Sequence, residues 1–140
     1  MAKLIFDAET RQYVGSVHGG GEVYEGTGIV VQANAVPDDT AYLYLGDDGT
    51  LQRDEQAVIA AARAARTLRI KAESRERIEA MDWRLERARE RDQAGLTTGA
   101  EAEVLAAREA IRRSSSDAEA AVAALTDKAE IAAFTWEVSP

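Results

Sequence analysis

Two patterns of hydrophobic and polar positions meet near Asp54. Upstream, short apolar runs are separated by turn-forming residues, the signature of strands. KLIF at 3–6 and RQYVGSV at 11–17 flank the polar turn Asp7-Ala8-Glu9-Thr10 and predict a hairpin. A glycine-rich GGGE segment follows, then TGIVVQA at 27–33 as a third strand. AVPDDTA is a turn, and AYLYLG at 41–46 alternates with period two as a fourth strand. GDDG turns the chain into TLQR at 50–53, a short fifth. The expectation is one small antiparallel sheet whose apolar side chains cover one face at most.

Downstream of Asp54 the period lengthens and helices are predicted. Asp54 suits an N-cap, with Glu55 complementing the positive end of the helix dipole. No glycine or proline then intervenes before Gly95. A helix continuous to about Gln93 would be a rod of roughly 60 Å at 1.5 Å per residue. Val58, Ala62, Ala65, Leu68 and Ala72 mark one apolar stripe, and Ile78, Met81, Leu85 and Ala88 a second. The phase shift between them fits an eleven-residue spacing better than strict heptads, and so a straight or weakly wound coil.

Gly95 stands where a C-terminal cap belongs. Thr98-Gly99-Ala100-Glu101 reads as a capping box for the next helix, which carries Val104, Leu105, Ala107 and Ile111 at helical spacing. Ser116-Asp117-Ala118-Glu119 reads as a second box, opening one more helix. The short link at Gly95 makes the second helix fold back on the first as an antiparallel hairpin. TWEVSP closes the chain as an extended tail. The fold class is therefore α+β: a β-rich head over 1–53, then a helical assembly region over 54–140 that forms an oligomeric bundle or coiled coil.

Composition sharpens this. Hydrophobic residues reach 46%, but much of that is alanine and aromatics are only 6%. Alanine buries little area, so partners or copies are expected to supply the missing burial. The net charge of −8 disfavours phosphate backbones as partners. With no cysteine, disulfides and thiolate chemistry are impossible. No apolar run approaches the roughly 20 residues a membrane-spanning helix needs. The opening MAKLIFDAETRQ lacks the apolar stretch of a signal peptide, so a soluble protein made in the cytoplasm is expected.

Candidate chemistry is sparse. His18, the single histidine, lies in SVHGGGE with no nucleophile or carboxylate constellation around it and reads as a loop residue. GGGEVYEGTG lacks the strand-before, helix-after setting of a dinucleotide fingerprint and the lysine of a P-loop. Asp38-Asp39 and Asp47-Asp48 lack calcium-loop spacing and read as turns. No catalytic residue, metal site or cofactor is expected. Residues 63–91 hold ten basic against six acidic residues. The two signs are interspersed, which predicts an ion-paired helix surface rather than a nucleic-acid grip. Trp83 is either an interface anchor or packed beneath the returning helix, and Trp136 is pinned against something. The candidate interface residues are Leu68, Ile78, Met81, Trp83, Leu85 and Trp136.

The stretch from Asp82-Trp83-Arg84 to Ala88, the stretch 108–116, and Trp136 with Pro140 resemble tail accessory and tail-fibre assembly proteins of tailed bacteriophages. YLYLGDDGTLQRDE is similar to the heads of small phage tail proteins. The resemblance covers about the last 60 residues and implies a mechanical role. Such proteins join baseplate to receptor-binding fibre within the virion tail, or act as assembly chaperones that help fibres trimerise and then leave. It also implies tail-fibre or baseplate proteins as partners and, from the threefold symmetry of fibres, a homotrimer.

Overall fold

The computed structural model describes residues 2–18, 28–33 and 40–137, and the side chains of Val17 and His18 lie outside the described set. The GGGE segment, the Pro37 turn with Asp38-Asp39, and Pro140 also lie outside the described residues. The architecture is α+β. Among the described residues five strands come first: β1 (Ala2–Phe6), β2 (Tyr13–His18), β3 (Ile29–Ala33), β4 (Leu43–Leu45) and β5 (Leu51–Arg53). Four helices follow: α1 (Glu55–Glu79), α2 (Asp82–Gln93), α3 (Ala100–Ala124) and α4 (Lys128–Ala133). The chain forms two compact units, 1–58 and 59–140.

In the first unit β1 is the central strand of an antiparallel sheet ordered β2-β1-β3. Register puts Leu4 opposite Val31 and Phe6 opposite Ile29 and Tyr13. These residues, with Ala33, Leu43 and Leu45, make the head core. The Phe6 and Tyr13 rings meet edge-to-face with centroids 5.9 Å apart. The single expected sheet is in fact two, because β4 and β5 pair only with each other and touch β2 through the isolated bridge between Gln12 and Tyr44. That division lets the Leu43 and Leu45 side chains pack against the β1 core instead of extending the ladder. A bulge between Ile5 and Phe6 leaves Val14 as the extra residue, exposed to solvent.

The first turn is held by the Asp7 carboxylate, which accepts from the backbone N–H of Thr10 at 2.7 Å, the Thr10 hydroxyl and the Glu9 N–H. The Asp48 carboxylate does the same for Thr50, accepting from its hydroxyl at 2.6 Å and its N–H at 3.0 Å. Both carboxyls are held below the ordinary aspartate value of 3.8, Asp7 chiefly by the Thr10 N–H and Asp48 chiefly by the Thr50 hydroxyl.

α1 begins at the expected cap within the first unit, with Asp54 Oδ1 accepting from the Ala57 N–H at 3.0 Å, and continues into the second. The expected unbroken rod breaks at Ala80-Met81, where the Met81 N–H turns to the Ile78 carbonyl three residues back. No glycine or proline announces that break. Immediately beyond it, Asp82 pairs with Arg108 of α3 at 2.8 Å, a contact only the folded chain supplies. Gly95, at φ +69°, ends α2 in a Schellman motif: its N–H reaches the Asp92 carbonyl and the Leu96 N–H reaches that of Arg91.

α3 then returns antiparallel to both preceding helices. Arg89 meets Glu101 and Asp82 meets Arg108 on α2, while Lys71 meets Glu119 and Arg63 meets the Leu125 carbonyl on α1. α3 runs unbroken through Ser114-Ser115-Ser116, so the second expected capping box opens no helix. The Ser115 hydroxyl instead donates to Glu119, and Ser114 accepts from Trp136. The next helix is the short α4, capped by Asp127, whose carboxylate accepts from the Glu130 N–H.

The buried stripe also differs from the expected one. Ile70, Ala118, Val122, Ile131 and Trp136 form the core, with Ile59, Ala62, Ile111, Leu125 and Phe134 around it. Leu68 is 69% exposed, and Ala65 and Ala72 are exposed as well. Alanine falls on every face of α1, so the large residues Ile59 and Ile70 decide which face goes inward. Two arginines then seal the ends of the packed helices. Arg63 donates through Nε to the Leu125 carbonyl at 2.8 Å, beyond the end of α3. Arg66 donates to the Ile131 and Ala132 carbonyls at the end of α4. Both reach carbonyls at helix ends, where intrahelical donors run out, and the Ile131 carbonyl accepts from the Phe134 N–H as well.

The start of α3 is capped from across the loop. Gly99 at its N-cap offers no side chain, and Thr98 makes no cap bond in its place. Asp92 of α2 does the work, accepting from the N–H groups of Ala100 and Glu101 and from the Thr97 hydroxyl. These bonds, the Glu101 N–H foremost, hold the Asp92 carboxyl below the ordinary 3.8. A depressed folded value means that its stabilisation is fully present above 3.8 and is lost as pH falls through the lower folded value. Asp92→Ala is therefore expected to lower stability at pH 7 and to flatten the loss on acidification. Urea unfolding at pH 7 and pH 3 checks this. Equal acid sensitivity in the variant and the wild type would refute the cap.

Candidate functional site

α2 and α3 enclose an open groove of about 370 Å³ lined by Trp83, Arg84, Arg87, Ala88, Arg91, Thr97, Ala100, Glu103 and Val104. Its positions on α2 follow from helical spacing. Residues 84, 87 and 91 fall on one face of a 3.6-residue helix, and Ala88 within that face is buried, which opens the floor of the groove. Basic residues elsewhere on the hairpin are spent on structure: Arg89 pairs with Glu101 at 2.9 Å and Arg108 with Asp82. Arg84, Arg87 and Arg91 make no ion pair among the described residues. The groove thus presents three guanidinium groups with free donors and one acid, Glu103, on the opposite wall.

Trp83 stands at this groove 63% exposed. An indole left in water beside planar guanidiniums is suited to closing over a partner's side chains, since Trp and Arg both bury large area and retain directional donors. The arrangement offers recognition without a nucleophile–base pair among its lining residues.

The remaining expected interface residues are not brought together with Trp83 in one patch. Ile78, Met81 and Leu85 are half-buried along α1 and α2, and Leu68 is exposed on α1. Trp136 is the correction. It is only 9% exposed and lies in the chain's own core, donating from Nε1 to Ser114 Oγ at 2.9 Å. Arg77 covers its ring with the guanidinium carbon 4.5 Å from the centroid. A side chain so enclosed is withdrawn from any intermolecular surface.

Comparison with protein-family models, curated proteins and solved structures finds no match to this chain. No helix among the described residues is long and apolar enough to cross a membrane. The roles of Arg63, Arg66 and Asp92 were missed in the sequence. Their only local signal is the three-residue spacing of Arg63 and Arg66 on a helix, since the carbonyls and N–H groups they serve lie far along the chain or across a loop.

Proposed function

We propose that this chain is a structural phage tail protein, an adaptor that links tail or baseplate to the receptor-binding fibre by protein–protein contact. The observation that carries the docking part of the reading is the exposed Trp83 beside three arginines that make no ion pair among the described residues. Scattered apolar residues on a surface need no explanation. A solvent-exposed tryptophan set at a groove beside arginines that make no ion pair among the described residues does, because tryptophan and arginine are both enriched at binding hot spots. The phage context comes from the resemblance of 82–88, 108–116 and the late tryptophan. A homotrimer, matching fibre symmetry, belongs to the same proposal.

The test is quantitative mass spectrometry of purified particles of the encoding phage. Copy number comparable to a fibre or baseplate protein is the expected result. Trp83→Ala should leave helix content unchanged, since the residue is exposed, yet cut incorporation about tenfold or more. Absence of the wild-type chain from particles overturns the adaptor. A raised yield of folded fibre on co-expression would then place the chain among assembly chaperones.

A further inference from the structure

The head holds a second concavity, of about 380 Å³, lined by Thr10, Gln12, Tyr13, Thr40, Tyr42, Leu43, Tyr44, Asp54 and Ala57. That volume lies at the low end of ligand pockets, about 300–1,000 Å³. Two features set it apart from a chance fold in the surface. First, of the two non-glycine residues with positive φ among the described residues, Tyr42 at 60° lines it and Arg11 at 58° lies between its lining residues Thr10 and Gln12. That left-handed region is sparsely populated by residues with a Cβ, and such conformations cluster at ligand sites. The surrounding bonds impose it on Tyr42: its carbonyl accepts from the Asp54 N–H at 2.9 Å, and the Leu43 N–H is turned to Thr40. Tyr42 is thereby held with its side chain 47% exposed at the pocket.

Second, the lining has one chemical character. Three phenols, two threonines, one amide and one carboxylate surround it, and no cationic side chain is among them. Two bases adjoin the lining in sequence: Arg11 is committed elsewhere, donating to the Leu45 and Gly46 carbonyls, and Arg53, half-buried on β5 opposite Leu43, is not among the lining residues. Residues 1–58 as a whole carry ten acidic against three basic residues. Phosphates, carboxylates and nucleic acids are repelled by such a site. Asp54 uses Oδ1 to cap α1, which leaves Oδ2 as an acceptor toward the pocket. Tyr44 donates to Gln52 at 2.6 Å, so its phenol oxygen is oriented and still able to accept.

The geometry points to a binding site for a neutral saccharide, a mono- or disaccharide, which would lay an apolar ring face on Tyr42 and exchange hydrogen bonds with Gln12, Thr40 and Asp54. A quaternary ammonium would use the rings and the carboxylate but leave the amide and hydroxyls of the lining without partners. A saccharide uses both, pairing vicinal hydroxyls with a carboxylate and an amide that offer acceptors and donors together. This inference stands apart from the adaptor reading, since it concerns other residues in the other unit.

The test is a ¹⁵N NMR titration of the full chain. The probes are glucose, galactose, mannose, N-acetylglucosamine, maltose and lactose, with choline and glucose 6-phosphate as charged controls. Saturable shifts at Thr10, Gln12, Tyr42 and Tyr44 with at least one neutral sugar are expected, with weaker responses to both controls. Tyr42→Gly separates binding from folding. Glycine adopts positive φ freely, so this variant should fold at least as well while binding falls by about tenfold or more, the weight of a lost ring face. Asp54→Asn keeps the helix cap and should weaken binding severalfold. Preference for choline or for the phosphorylated sugar, silence across the panel, or unchanged binding in Tyr42→Gly each overturns the proposal.

Discussion

Trp136→Ala is expected to cost the helical unit about 3–5 kcal/mol, the range for emptying a large aromatic from a packed core. Trp136 closes the core made by Ile70 of α1, Ala118 and Val122 of α3 and Ile131 of α4. Its loss opens a cavity where α1, α3 and α4 pack together, removes the indole bond to Ser114 and uncovers the Arg77 guanidinium. Because alanine supplies so much of the remaining packing, few neighbouring side chains are large enough to collapse into the space. Against total stabilities of about 5–15 kcal/mol for a domain, this loss is of the same order as the whole. Urea unfolding followed by ellipticity at 222 nm reads it directly. Trp136→Phe keeps most of the volume and forfeits the Ser114 bond, so it should cost less, about 1–2 kcal/mol. A loss under about 1 kcal/mol for the alanine variant would mean that the tail is not part of the core.

Phe6→Ala carries the second large effect. Phe6 is fully buried at the centre of the head, where β1 meets Ile29 of β3, Tyr13 of β2 and the leucines of β4. Truncation costs about 3–5 kcal/mol for the cavity, including the edge-to-face contact with Tyr13, which is itself of order 0.5–1.5 kcal/mol. A head of five short strands around so few large side chains has little stability to spare. Hydrogen exchange should therefore show lost amide protection through β1, β2 and β3 in the variant. Val14→Thr is the control: Val14 is the exposed bulge residue, and its replacement should change stability by no more than about 0.5 kcal/mol. Protection retained in Phe6→Ala would show that the sheet is held by something other than the core around this ring.

What could be read from the sequence shares one property: the partners lie within a few residues of each other. Short apolar runs at 3–6 and 29–33, bounded by turn-forming residues, and alternation over 43–45 mark the strands. Asp7 and Asp48 hold turns, Asp54 caps α1, and Gly95 ends α2, all through bonds spanning two to five residues. The antiparallel return of α3 follows from the shortness of the link. The sequence leaves Trp83 open between a surface and the returning helix, and only the folded chain puts it 63% exposed.

Everything decided by distant residues stayed hidden. Which face of α1 goes inward could not be read, because an alanine gains nearly as much on one face as on the next. Only the meeting with Val122, Ile131 and Trp136 selects Ile59 and Ile70 over Leu68. The break at Ala80-Met81 has no local cause in residue type and coincides with the reach of Asp82 to Arg108. The serine run inside α3 would favour a helix start if isolated, but its hydroxyls find Trp136 and Glu119 instead. Asp92 caps a helix to which it does not belong. Local hydrogen bonds and side-chain periodicity determine the elements of this protein. The choice of buried face, the break at Ala80-Met81 and the place of Trp136 are set by tertiary packing, because among so many alanines only the few large side chains and the polar groups that reach across helices discriminate one arrangement from another.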